Sequence, residues 1–300
     1  MSNIKGTGLA AIQWENNGLH LRVYHQHTDG FVYESALDDN VGGGWHSTQK
    51  LFQARLRSPL SAIVWNTSAG SPQIRVYYLD DQGAVQEYVY SGGWSKGASL
   101  PASNVSPITG LAAVRWSDEP QIRVYYQQKD NVIHEVVWSH GWSAGATLSA
   151  AFSGTAIAAT TYSDSSTIRV YYQQADYKLH EAAWISGWKF RTLDDVTPPA
   201  GGIAAVGWLE GGHAPTLRVY SQSQRDTIQE LSYDDPSGWV YPTRVLDPNV
   251  APSDGSIAAV HWLNGPNQIR VYVQASGRNI TELVWDGPSG RGWYSQVLNF

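Results

Sequence analysis

Cysteine is absent from this chain of 300 residues, so no disulfide braces the fold and no thiol chemistry is available. Charge is sparse: Asp, Glu, Lys and Arg make up 15% of the residues, and the net charge of -6 lacks the basic face that a nucleic-acid binder needs. No apolar run approaches the roughly 18 residues that insert into a membrane. The opening Met-Ser-Asn-Ile-Lys-Gly-Thr-Gly lacks the apolar centre of a signal peptide, which predicts a cytoplasmic protein or one exported by another route. Sustained helical periodicity is missing too. Phenylalanine is scarce at 5 residues, against 14 Trp and 17 Tyr. Those two side chains join a flat apolar face to a polar handle, which suits half-wet binding surfaces as well as cores of large rings.

What is present is repetition. The string Arg-Val-Tyr occurs six times, with its arginine at Arg22, Arg75, Arg123, Arg169, Arg218 and Arg270, 46 to 53 residues apart. Each unit holds four short pieces. The first resembles Leu-Ala-Ala-Val-Arg-Trp and ends at Trp14, Trp65, Trp116, Tyr162, Trp208 or Trp262. The second is Ile/Leu-Arg-Val-Tyr, the third carries a glutamate, and the fourth starts at a Gly-Trp. Ile, Val, Tyr, Trp and Thr dominate the pieces, and Gly, Pro, Asp, Asn and Ser separate them, so they read as strands and turns. Six four-stranded units in a ring predict an all-β, six-bladed propeller that fills the chain as one domain. Its blades are expected at about 8–56, 57–106, 107–152, 153–199, 200–253 and 254–300, each from consecutive residues, with Ser2 to Gly8 contributing at most to the seam.

One spacing is invariant. Twelve residues separate each arginine from its glutamate, Glu34, Glu87, Glu135, Glu181, Glu230 or Glu282, whereas glutamate to the Gly-Trp tryptophan ranges from 7 to 11. Symmetry about a hairpin centred on Thr28 in unit one, or Lys129 in unit three, sets arginine and glutamate directly opposite on one face, with Cβ atoms about 5 Å apart. The residue three after the glutamate is Tyr90, Trp138, Trp184, Tyr233 or Trp285, with Leu37 as the exception. An odd offset puts this ring on the other face of its blade. The charged pair of one blade therefore meets the ring of a neighbouring blade across the gap between them.

Such a cleft offers a guanidinium that only donates hydrogen bonds, a carboxylate that accepts them, and aromatic walls. It suits a neutral, hydroxylated ligand with an apolar face, which describes a sugar. A single cross-strand Arg–Glu pair reads as a structural ion pair; six in fixed register, each facing a ring, read as a site. The first-piece aromatics are taken as core or inter-blade packing.

The combination Ile-Arg-Val-Tyr, Glu-x-x-Trp and Gly-Trp resembles the fungal fucose-specific lectins typified by the Aleuria aurantia lectin, to which a bacterial Ralstonia lectin is related. The resemblance covers essentially the whole chain. It implies a propeller with up to six L-fucose sites between blades, fucosylated glycans or glycoproteins as partners, no metal or other cofactor, and commonly a homodimer. Carried over by motif, the partner rings come from the following blade. Arg22 and Glu34 then meet Tyr90 and Trp94; Arg75 and Glu87 meet Trp138 and Trp142; Arg123 and Glu135 meet Trp184 and Trp188. Arg169 and Glu181 meet Tyr233 and Trp239, and Arg218 and Glu230 meet Trp285 and Trp293. Arg270 and Glu282 close the ring with Leu37 and Trp45, a cleft that lacks one stacking face and is expected to be the weakest.

The rival classes are a propeller glycoside hydrolase and a protein-interaction propeller. Hydrolysis normally uses two carboxylates about 5 to 10 Å apart, whereas each cleft has one, which the arginine is expected to keep ionised. Six repeated sites favour avidity. A protein-binding propeller would vary its surface from blade to blade. The pairs Asp38-Asp39, Asp80-Asp81, Asp194-Asp195 and Asp234-Asp235 are assigned to turns, not metal. His134 and His180 precede glutamates and face away from them.

Overall fold

The computed structural model describes residues 2–39, 44–117, 119–163, 167–223, 227–246, 252–263, 266–275, 278–287 and 292–298. Every element assigned in it is a β-strand, and the strands form six four-stranded antiparallel sheets. The first sheet consists of β1 (Leu9–Glu15), β2 (Leu19–Gln26), β3 (Phe31–Asp38) and β4 (Trp45–Gln53), paired in chain order. The others span 61–99, 111–150, 158–196, 203–245 and 252–298 and repeat that order. The protein is a six-bladed β-propeller.

The hub explains the Leu-Ala-Ala pattern. First strands of successive blades pack against one another around the ring, including β1 against the first strand of the sixth blade. Ala10, Ala62, Ala112, Ala158, Ala204 and Ala258 line the central channel, where six strands converge and larger side chains would collide. Second strands lie between neighbouring sheets. Their consecutive Val and Tyr, such as Val124 and Tyr125, point to opposite faces and are both fully buried, so both faces of the strand are covered.

The core is divided. Six apolar clusters each join two adjacent blades, as where Ile63, Tyr77 and Leu79 pack with Ile122, Val124 and Val136. Truncating a fully buried leucine there, such as Leu231→Ala between blades four and five, should cost about 2–5 kcal/mol.

The hairpin register differs from expectation. Glu135 pairs with Tyr125, and Arg123 pairs with Val137; Glu34 pairs with Tyr24, and Arg22 with Ala36. The centres are Asp130 and Asp29, not Lys129 and Thr28. Each aspartate accepts a hydrogen bond from the backbone N–H two residues on, Val132 and Phe31, at 3.0 Å. Arginine and glutamate share a face but sit diagonally, one pair apart.

The seam is closed by the amino-terminal segment, and among the described residues no strand is exchanged between blades. In blades one, three and four a glutamine four residues after the arginine ties its blade to the linker that follows. Gln26 Nε2 donates to the Ala54 and Arg55 carbonyls, and Gln127 Nε2 to the Phe152 carbonyl. In the sixth blade Gln274 does the same to Ile4 and also accepts from the Gly6 N–H at 2.7 Å. Asn3 adds a bond to the Arg278 carbonyl, and Ile4 N–H one to Gln26.

Candidate functional site: the clefts between blades

Each cleft starts from a locked guanidinium. In all six blades Nη1 of the arginine donates to the carbonyl of the residue before it, at 2.8–3.2 Å. The guanidinium lies over the first-strand aromatic of its own blade, 4.8–5.3 Å from the ring centroid, in the order Trp14, Trp65, Trp116, Tyr162, Trp208 and Trp262. Sequence reading took these rings for packing alone. Four are buried, but all six also form the platform that orients the arginine through a cation–π contact.

The glutamate stands beside it. In blades one, two, three, four and six the arginine Nε lies 3.5–3.8 Å from glutamate Oε1. That is an ion pair without a good hydrogen bond. The carboxylate's closest shared partner is the tyrosine of Arg-Val-Tyr. Tyr24, Tyr77, Tyr125, Tyr171, Tyr220 and Tyr272 each donate to it at 2.8–3.2 Å, and all six are fully buried. This residue was missed from the sequence, although its fixed place, two after the arginine and ten before the glutamate, was visible in every unit.

Five of these carboxylates, all but Glu230, are buried, which makes them the floor of the cleft. Burial pushes Glu34, Glu87, Glu181 and Glu282 above their ordinary value of 4.5, and the nearby arginines offset this only in part. In these four clefts desolvation outweighs the pull of the arginine, so the carboxylate takes up a proton at higher pH than a free glutamate does.

Local sequence makes room for the acid in different ways. In blades two and three a fourth-strand glycine lies against it. A Cβ on Gly97 would come within 2.6 Å of Glu87 Oε2, and one on Gly145 within 2.4 Å of Glu135 Oε2. The following N–H groups, Ala98 and Ala146, donate to those oxygens at 3.3 and 3.0 Å. In blades one, four and six the fourth-strand residue in register with the glutamate is Gln49, Arg191 or Gln296 instead of a glycine neighbour.

The rings arrive from the following blade. Tyr24 meets Trp94 edge-on, and the same contact joins Tyr77 to Trp142, Tyr125 to Trp188, Tyr171 to Trp239, Tyr220 to Trp293 and Tyr272 to Trp45, with centroids 5.9–6.3 Å apart. Beside each tryptophan, Tyr90, Trp138, Trp184, Tyr233 or Trp285 lies 5.4–5.9 Å away, half-buried. Leu37 holds that place in the first blade and packs with Tyr272 and Trp262 of the sixth. The Trp293 indole N–H is buried and has no hydrogen-bond partner among the described residues.

The aspartate pairs need correction. Asp38 and Asp234 end third strands and are not turn residues, and each takes the arginine of its own blade: Arg22 Nη1 at 2.8 Å and Arg218 Nη1 at 3.0 Å. Asp286, outside the pairs singled out, holds Arg270 Nη2 at 2.9 Å. Asp80 does sit in its hairpin turn, accepting from Gln82 and Ala84. Asp194 and Asp195 belong to the strand Trp188–Val196, and their side chains lie outside the described residues. His134 and His180 pack near Tyr126 and Tyr172, away from the glutamates.

With this geometry in view, the likenesses to known proteins are informative. The family model for fungal fucose-specific lectins matches residues 3–293. A fucose-specific lectin of Aleuria aurantia is 35% identical over 299 residues, covering 95% of this chain and 92% of that protein. One from Aspergillus oryzae is 33% identical over 297 residues, covering 97% and 78%. The crystal structure of the Aleuria lectin, a six-bladed β-propeller, superposes with a TM-score of 0.87 at 32% identity, covering 99% of this chain and 97% of that one. A mutant of that lectin in complex with α-methyl-L-fucoside gives 0.85 at 31% identity, covering 99% and 96%.

Proposed function

Because the chain belongs to the fungal fucose-specific lectin family, we propose that its inter-blade clefts each take one L-fucose residue of a fucosylated glycan, by binding alone. The chain is a lectin and not a glycosidase. The observation that carries the assignment to the clefts is convergence: an arginine and a glutamate of one blade face a Gly-Trp tryptophan of the next at every junction, the ring-closing one included.

The chemistry follows from what each group has left to give. The ion pair is too long to consume the hydrogen-bonding capacity of either partner, so a hydroxyl between them donates to the carboxylate and accepts from the guanidinium. Tyrosine holds the carboxylate in place, and the first-strand ring holds the guanidinium, so little ordering is required on binding. The flat faces of the following blade cover the apolar side of the sugar, including the methyl group of a 6-deoxy sugar. No step needs a metal. Single cups of this size bind weakly, and several on one rigid disc gain by avidity on clustered glycans. Pairing of two copies, which the family resemblance implies, would double that number.

A glycan array carrying fucosylated and non-fucosylated partners, run with and without a chelator, tests this. Signal only on fucosylated glycans, unchanged by the chelator, is expected. Arg123→Ala with Glu135→Ala should lower the calorimetric site count for methyl α-L-fucoside by one; an unchanged count would refute the cleft assignment.

A further inference from the structure

We propose that the cleft between blades four and five recognises fucosylated glycans bearing an anionic substituent, a sulfate ester or a carboxylate, beside the fucose. This rests on the fucose reading above and adds a subsite to one cleft.

The observation is a row of charge found in this blade. In the outer hairpin Glu181 pairs with Arg191, and Ala183 pairs with Lys189, while Ala183 on its other side pairs with Arg169. All these side chains point to one face, toward the fifth blade. Arg169, Glu181, Lys189 and Arg191 line a cavity of about 210 Å3 together with Tyr233 and Trp239. Three cations thus face one carboxylate, in a protein whose net charge is -6. Directly opposed side chains in such a sheet lie about 5 Å apart at Cβ, so Lys189 stands about two strand spacings from Arg169 with only the small Ala183 between them.

Arg191 acts on the Glu181 carboxylate only as a longer-range attraction, without a close ion pair. Lys189 and Arg191 are exposed and have no ion-pair partner among the described residues, whereas Arg169 and Glu181 are buried and paired at 3.6 Å. The corresponding outer-strand positions elsewhere differ. Ser95 and Ser143 pair with Val89 and Val137 in blades two and three, and Tyr294 and Gln296 stand opposite Val284 and Glu282 in blade six. Blade five has Val240 in one place and Arg244 in the other. A neutral fucose has no use for two further cations at its edge. An anionic group on the same sugar, or on the next residue of the glycan, would pair with both.

The test is titration calorimetry with four probes: methyl α-L-fucoside, its mono-O-sulfate esters, and a fucosylated trisaccharide with and without a terminal sialic acid. At low salt, one site per chain should bind a sulfated or a sialylated probe about twofold to thirtyfold tighter than its neutral counterpart, the range two exposed ion pairs supply. Which of the two shows the gain identifies the anion. The gain should shrink in 0.5 M NaCl, where charges are screened within about 4 Å. Lys189→Ala with Arg191→Ala should abolish the gain while leaving the number of sites for neutral fucoside unchanged, and Lys189→Glu with Arg191→Glu should reverse it. No preference in the wild type, or a preference surviving the double alanine variant, would overturn the proposal. Failure of the neutral fucoside to bind at all would instead remove the fucose reading on which it stands.

Discussion

In the cleft built on Arg123, the guanidinium donates through Nη1 to the Ile122 and Trp138 carbonyls, and Nη2 has no protein partner among the described residues. In the cleft built on Arg270, the same carbonyl bonds are made to Ile269 and Trp285, but Nη2 also donates to Asp286, which is held in turn by the Tyr294 hydroxyl. Arg22 and Arg218 also take an aspartate, Asp38 and Asp234, but through Nη1, with Nη2 of Arg22 adding a second bond to Asp38 at 3.3 Å. Sixteen residues after the arginine, the first kind of cleft has Ser91 or Ser139 and the second an aspartate. The blades that carry the aspartate are also those in which the glutamate and the blade's own Gly-Trp tryptophan lie furthest apart, at 9 to 11 residues against 7. One repeated motif thus yields cups with different numbers of unused donors. A second acid steadies the arginine and takes hydrogen-bonding capacity that a sugar would otherwise receive.

The largest expected effect separates the two kinds. Arg75→Ala with Arg123→Ala should weaken binding to clustered fucose by at least about tenfold, since hydrogen bonds to charged groups contribute about 1.5–3 kcal/mol each. Arg22→Ala with Arg270→Ala should weaken it less than about threefold; equal losses on a fucose-coated biosensor would erase the distinction. Next in size is Gly145→Ala. Its Cβ would sit 2.4 Å from Glu135 Oε2 and 2.6 Å from Val137 Cγ2, so the carboxylate must move. Overpacking of about 1–3 kcal/mol should cost that cleft about tenfold in affinity, read as one weakened site by calorimetry. A smaller, opposite change is expected for Asp286→Ser, which frees Arg270 and should tighten the ring-closing cleft about threefold; no gain would show that the aspartate does not compete.

The smallest effect is that of pH. Glu34, Glu87, Glu181 and Glu282 have folded values raised above 4.5 by burial. On acidification through that window they take up protons and lose acceptor strength, so fucose affinity should fall. Stability should move the other way: the folded chain binds more protons than the unfolded one, so these groups favour folding most at the acid end and less as pH rises through their folded values. Asp38 opposes them. Burial raises it, but Arg22 and His20 together bring it below 3.8, so its contribution is present above that value and lost on acidification. Parallel titrations of affinity and melting temperature check both signs.

Fold and cleft pairing were legible because they depend on period and parity. Six returns of Arg-Val-Tyr count blades, and the odd step from Glu135 to Trp138 puts charge and ring on opposite faces whatever the register. Register itself was misread. Equal spacing from arginine to glutamate suggested direct partners, but the hairpin is centred by the Asp29 or Asp130 side chain, which moves tyrosine into the place opposite the glutamate. Aspartates 38 and 234 were assigned to turns because Asp is common there. That each ends a strand beside an arginine depends on where the hairpin closes, which composition does not reveal. The upward direction of the carboxylate shift was not legible, because an adjacent cation is visible in a sequence and the depth of burial is not.

The way the ring is fastened has a consequence for the count of working sites. Its last joint is held by Asn3, Ile4 and Gly6 reaching Arg278, Gln26 and Gln274 without a shared strand. Leu37, Trp45 and Tyr272, which form the wall of the ring-closing cleft, pack across this same joint. On the proposed cleft assignment, slackening of the clasp by mild heat or by trimming the first residues would silence that cleft before the others, and the valence of the lectin would report on the integrity of its own closure.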